Sequence, residues 1–260
     1  MKEKTILNLK ISYLEHLIKR LPRGWIGRYR GQEKVIITYD PQKPKVTYIS
    51  KRRYGLNTKK GHYYSNGVEE RIKAEANLKK LMAEWQMNYI GAPEVIEFPL
   101  RKIRFSWITK EQFMKAEPNQ NPYEIDHPIP YKGQTLRSKN ELLSVQAIES
   151  MGFLWKTEIS IRYGKYSFYP DVVFYVPYID KVISLELDGM MEKDDYYEHA
   201  EERRAKYIKA GLVENKDVIF FRLNNKYDFN MEDLISLIET AIERNAADIL
   251  IGKDAESFSI

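Results

Sequence analysis

The chain has 260 residues, 43% hydrophobic and 30% charged, enough for one large globular domain or two small ones. It has no cysteine, which excludes disulfides, thiolate metal sites and a cysteine nucleophile, and fits a reducing cytoplasm. The net charge of +5 is uneven: residues 1–130 hold 25 Lys and Arg against 14 Asp and Glu, and the rest hold 17 against 23, so a polyanionic partner is expected for the first half.

Residues 5–20 carry Ile6, Leu9, Ile11, Leu14, Leu17 and Ile18 at helical spacing, and Leu21-Pro22-Arg23-Gly24 ends that helix. Short strands are expected at 25–39 and 45–50, around the turn 40–44. From Arg20 to Lys60 there are twelve Lys or Arg against two acids, Glu33 and Asp40. Arg23, Arg28, Arg30, Lys51, Arg52 and Arg53 are the candidate phosphate contacts, because such charges release counterions from nucleic acid. Trp25, Tyr29, Tyr39, Tyr48 and Tyr54 are interleaved with them and have two uses. They offer faces on which bases stack, but their simplest place is against the following helix. That helix is expected over 67–88, with Asn66 as N-cap, Glu69 and Glu70 in its first turn, and Ile72, Leu78, Leu81, Met82 and Trp85 as its buried stripe. Residues 91–130 are proline-containing and read as a connector with one short helix near 109–116.

From about 131 the pattern becomes regular. A helix is expected at 139–151, strands at 156–162, 167–176 and 182–188, a helix at 194–210, a strand at 217–223 and a last helix at 231–244. This order predicts an α/β fold with a mixed sheet flanked by helices. The expected organisation is a small basic α+β module at 1–90, the connector at 91–130, the α/β domain at 131–250 and a tail at 251–260. No apolar run approaches the roughly 20 residues that span a bilayer. The first ten residues lack the apolar centre of a signal peptide. The expectation is a cytoplasmic protein without a membrane partner. His16, His62, His127 and His199 have no ligand spacing.

Two acids stand where apolar residues belong. Asp171 opens Asp-Val-Val-Phe-Tyr-Val, and Glu186 interrupts Val-Ile-Ser-Leu-Glu-Leu. A carboxylate in a buried strand is costly unless it is paired or binds a metal. Two of them on successive strands suggest a cation held at a sheet edge, the arrangement with which many nucleases cut phosphodiesters. Magnesium takes oxygen ligands and keeps several waters, so two or three acids suffice.

The order Arg137-Ser138-Lys139-Asn140-Glu141, then Tyr169-Pro170-Asp171, then Glu186-Leu187-Asp188-Gly189-Met190 resembles the PD-(D/E)XK nuclease superfamily over roughly residues 131–245. Glu-Leu-Asp-Gly is similar to the Glu-x-Asp-Gly of very-short-patch-repair-like endonuclease domains. The whole set is most similar to an uncharacterised group of bacterial nuclease-like proteins with Arg-Ser-Lys-x-Glu, Pro-Asp and Glu-His-x-Gly. Tyr196, Arg203 and Tyr207 match the Tyr and basic residue that the group carries on the next helix. The resemblance implies a restriction-endonuclease-like fold and metal-dependent phosphodiester cleavage. It implies Glu141, Asp171 and Glu186 as ligands of Mg²⁺ (or Mn²⁺). The superfamily's lysine falls at Asp188, so the positive group must come from elsewhere: Arg203, Lys139 or Lys156. Asp188 itself is either a further ligand or part of a turn.

Ser138-x-x-Glu141 is also a capping box, and the two roles for Glu141 are compatible. The expected activity is therefore a magnesium-dependent endonuclease acting on DNA in preference to RNA, with room for a protein partner or a homo-oligomer. The alternatives are a nuclease-like protein that has lost catalysis and only binds nucleic acid, and an interaction subunit whose acidic half contacts a basic protein.

Overall fold

The computed structural model describes residues 2–41, 52–96, 107–189, 192, 194–225 and 228–257. The chain divides into two compact units, 3–99 and 100–260.

In the first unit, helix α1 (Lys2–Arg20) is followed by a hairpin of β1 (Arg23–Tyr29) and β2 (Gln32–Tyr39). Then come β3 (Arg52–Gly55) and the long helix α2 (Lys59–Asn88). The strands form one antiparallel sheet in the order β1-β2-β3. The strand expected at 45–50, and with it Tyr48 and Lys51, lies outside the described residues. Helix α2 begins a full two turns before the expected position. Its N-cap is Thr58, whose hydroxyl accepts from the Gly61 N–H at 3.0 Å, and Asn66 lies inside the helix. The first turns are rich in residues with weak helical preference (Gly61, His62, Tyr63, Ser65, Asn66, Gly67). Packing decides instead, as Tyr64 and Val68 close on Val35 and Ile37 of the sheet. The second half of α2 sets Trp85 against Leu7 and Ile11 of α1, with Leu78, Leu81 and Met82 beside them. Ile72, expected in that stripe, is exposed. Buried Arg71 donates to the carbonyls of Ile18 and Leu21, satisfying acceptors that the end of α1 leaves open.

Alternation along the strands divides the hairpin aromatics. Tyr54 packs toward α2, stacked on Tyr64 at 5.0 Å between ring centroids. Trp25 and Tyr29 pair with Ile36 and Gln32, out of phase with Val35 and Ile37, and so lie on the face turned away from α2. The expectation that the hairpin aromatics pack on the helix therefore fails for these two. A one-residue phase in the two-residue alternation, not composition, decides which side each ring takes.

In the second unit, short helix α3 (Lys110–Lys115) is capped by a reciprocal Thr109–Gln112 box. Two hairpins, β4 (Ile129–Tyr131) with β5 (Gln134–Leu136) and β7 (Ile161–Tyr163) with β8 (Tyr166–Phe168), flank the central sheet elements in sequence. The main sheet has the order β11-β10-β9-β6, from β6 (Leu154–Thr157), β9 (Val172–Val176), β10 (Lys181–Asp188) and β11 (Val218–Arg222). It is mixed: β6, β9 and β10 are antiparallel neighbours, and β11 joins β10 in parallel. Helices α4 (Lys139–Ser150), α5 (Asp194–Lys209) and α6 (Met231–Ser257) complete the unit. α4 packs on β6 and β9, and α6 packs on β11 and α4. On the opposite face, Tyr207 of α5 and Phe113 of α3 close over Val173, Tyr175, Val182, Val218 and Phe220.

Two expected strands are each broken in two. The 156–162 strand stops at Glu158, whose φ of 45° is a left-handed turn. The 167–176 strand is interrupted at Pro170, which lacks the N–H a ladder needs. The last helix runs to Ser257, through part of the segment expected to be a tail. Among the described residues there are six helices, and none is long and apolar enough to cross a membrane.

Candidate active site at the edge of the mixed sheet

Register brings the two strand acids together. Val172 pairs with Leu185 in the antiparallel β9–β10 ladder, so Asp171, one step before, and Glu186, one step after, fall on the next rung. The main-chain N–H of Leu187 donates to Asp171 Oδ2 at 2.7 Å, closing that rung through the side chain. Glu186 and Asp188, two residues apart, point to the same side of the sheet, the side that α5 covers. There they meet Arg203 and Tyr207, which are four apart and so share one face of α5. The Tyr207 hydroxyl donates to Glu186 Oε1. Arg203 lies 3.5 Å from Glu186 Oε2 and donates to Asp188 Oδ1 at 2.8 Å. Among the described residues, Asp188 Oδ2 and Arg203 Nε have no hydrogen-bond partner.

A third acid completes the rung, and the sequence reading missed it. Thr157 of β6 pairs with Val172, so Glu158, the next residue, sits beside Asp171 on its other side. The Glu158 N–H donates to the Pro170 carbonyl at 3.0 Å. Glu158, Asp171 and Glu186 thus occupy one level across three neighbouring strands, whose backbones run about 4.8 Å apart. Glu158 is 2% exposed and accepts from Arg137 Nε and Asn121 Nδ2, both at 2.6 Å. The signal was present: an acid inside an expected strand, the same oddity that singled out Glu186.

Glu141 stands in the first turn of α4. Its N–H donates to the Ser138 hydroxyl at 3.1 Å, and its Oε2 accepts from the main-chain N–H of Arg137 at 2.8 Å. The helix start is therefore closed by Ser138 and Glu141, with the carboxylate reaching one residue further back than in a simple box. The Arg137 guanidinium also donates to the Tyr123 and Glu124 carbonyls, so one residue links Glu141, Glu158 and the 121–124 segment.

The electrostatics are those of crowded, desolvated carboxylates. Burial, and then the charge of Asp171, pushes Glu186 up to about 8, with Arg203 and Tyr207 opposing. Burial raises Asp171 to about 6, held back by Arg203 and the Leu187 N–H. Glu141 rises to about 8 through burial and the Asp171 charge. Asp188 is also raised, again chiefly by burial. Arg203 opposes the rise at Asp171, Glu186 and Asp188, Arg222 also opposes it at Asp188, and Arg137 opposes it at Glu141, yet burial prevails at all four carboxylates.

The other expected residues sit elsewhere. Lys156 Nζ donates to the Met114 and Ala116 carbonyls and is occupied there. Lys139 is exposed on the first turn of α4. Tyr196 is 47% exposed, whereas Tyr207 is buried against Glu186. Of the three candidate cations, only Arg203 enters the site. In the first unit, Arg23, Arg28, Arg30 and Arg53 are exposed, and Arg52 is paired with Asp40 at 3.4 Å.

Every donor at the edge is oxygen, which suits a hard cation such as magnesium. Among the described residues no three acidic or imidazole groups converge closely enough to hold one ion. Magnesium is commonly held by one or two carboxylates with waters and substrate phosphate, and Asp171 and Glu186 are the two strand acids that the register sets side by side. The orphaned Asp188 Oδ2 beside them is a further acceptor waiting for a donor or a cation. Comparisons with protein-family models, curated proteins and solved structures find no match for this chain.

Proposed function

We propose that this chain is a metal-dependent endonuclease of restriction-endonuclease-like fold, cutting phosphodiester bonds of DNA in preference to RNA in a cytoplasmic setting. The observation that carries the proposal is the buried rung of Asp171 and Glu186, two carboxylates set side by side at the ends of the two central strands of the sheet. Asp171 and Glu186 would hold a Mg²⁺ or Mn²⁺ ion, with Glu141 in the same field. When bound, such an ion offsets charge on the attacked phosphate and lowers the pKa of a water.

The chain's own residues have distinct parts. The Leu187 N–H fixes the Asp171 carboxylate, and Tyr207 fixes Glu186, so both present one oxygen each in a set direction. Arg203, partly open to solvent, supplies the positive group where the superfamily's lysine is replaced by Asp188. Its guanidinium can turn to a phosphate oxygen while Asp188 anchors its other edge. The basic hairpin of the first unit supplies sequence-independent affinity for the polyanion.

The Arg203–Asp188 pair also favours a second reading. If that pair only neutralises the edge, the chain is a nuclease-like binding protein without catalysis. Incubating plasmid and single-stranded DNA or RNA with the protein in Mg²⁺ or Mn²⁺ separates the two. The proposal predicts cleavage that is lost in both Asp171→Ala and Glu186→Ala. Cleavage that survives both substitutions would overturn the site, and binding without cleavage in either metal would favour the second reading.

A further inference from the structure

The sheet of the first unit has two faces of different chemistry. Val35 and Ile37 point to α2. The other face carries Trp25, Tyr29, Lys34, Ile36 and Arg53, which the register aligns as Trp25 with Ile36 and Ile36 with Arg53. Among the described residues this face carries no acid. Asp40 lies off it, bonded to Tyr64 and Arg52, and Glu33 pairs with Arg28 on the opposite alternation.

Two features of the face differ from an ordinary solvated strand. Trp25 is 43% exposed, and its indole lies over Gly27, where a Cβ would stand 3.3 Å from ring atoms Cδ1 and Nε1, and beside the buried Ile36. Three cations gather round the Tyr29 ring, with Arg53 at 4.1 Å, Arg30 at 5.5 Å and Lys34 at 5.6 Å from its centroid. A flat exposed indole and a cluster of cations on one acid-free face complement a chain that offers flat bases and regularly spaced phosphates. A paired duplex presents only its phosphates to such a face, because its bases are already stacked.

We propose that this face binds single-stranded nucleic acid, with Trp25 stacking on an unpaired base while Arg30, Lys34 and Arg53 contact its phosphates. It deepens the nucleic-acid-gripping role given above to the first unit, and it does not depend on the cleavage site.

The test uses the full chain in EDTA, so that loss of cleavage and loss of binding are read apart. The other three tryptophans, Trp85, Trp107 and Trp155, are 2%, 5% and 9% exposed, so quenching of intrinsic fluorescence by oligodeoxythymidylate reports on Trp25. The expected result is quenching that disappears in Trp25→Ala, with affinity reduced roughly tenfold or more. Trp25→Phe should keep affinity near that of the native protein, because a ring remains. Arg53→Ala should weaken binding at low salt and reduce the slope of log K against log salt by about 1. Affinity unchanged in Trp25→Ala, quenching that persists without Trp25, or a duplex bound as tightly as the single strand would each overturn it.

Discussion

Glu186 shows how a single residue sets the chemistry of this edge. It is 2% exposed in a strand of apolar residues, and its partners are one hydroxyl and one guanidinium 3.5 Å away. A carboxylate so placed holds its proton. Glu186 and Glu141 move from an ordinary value of 4.5 to about 8, and Asp171 from 3.8 to about 6. The folded state binds protons that the unfolded chain has already released, so it gains stability below the unfolded values and loses it as pH rises through the folded ones. In EDTA, the melting temperature is predicted to fall between pH of about 4.5 and 8. Glu186→Gln, which mimics the protonated acid, is predicted to flatten that fall. A metal-free wild type that gains stability relative to Glu186→Gln over this window would contradict the assignment.

At the scale of elements, register does most of the positioning. The β9–β10 ladder sets Asp171 opposite Glu186, the β6–β9 ladder adds Glu158, and one face of α5 delivers Arg203 and Tyr207. Asp171 and Glu186 were legible in the sequence because charge inside an apolar strand is conspicuous. Glu158 was not singled out, since the strand expected at 156–162 concealed the left-handed turn that ends it. Arg203 was legible only as one of three cations, because sequence spacing does not say which way a helix faces the sheet. The same holds for α2, whose start is decided by Tyr64 and Val68 packing on the sheet, and for Trp25 and Tyr29, whose face depends on a one-residue phase. The far end of β10 is held by a different device. Lys181, 1% exposed, donates to Asp217 Oδ1 at 2.7 Å, while Asp217 Oδ2 accepts from the Val213 N–H. Lys181→Met leaves a partly buried carboxylate without its cation and is predicted to cost about 3 kcal/mol or more. Urea unfolding would show this as a lower midpoint at unchanged slope. A change below about 1 kcal/mol would mean the pair contributes little to anchoring β10.

At the scale of the whole molecule, two units carry different charges and different chemistry. The first is basic, with an aromatic and cationic sheet face; the second gathers buried acids at one edge of a mixed sheet. The charge asymmetry is read with its boundary at 130, whereas the units divide at 99/100; hydrophobic periodicity locates α4, α5, β11 and α6, but not the β4–β5 hairpin or the breaks at Glu158 and Pro170. The proposed role of the Asp171–Glu186 rung is to hold a divalent cation. Calorimetric titration of Mn²⁺ into the full-length protein, beside Asp171→Asn and Glu186→Gln, tests it most directly. One saturable site is expected in the native protein, with proton release at neutral pH, and loss of that site in both variants. Binding of equal strength in all three proteins, or none in the native protein, would contradict it.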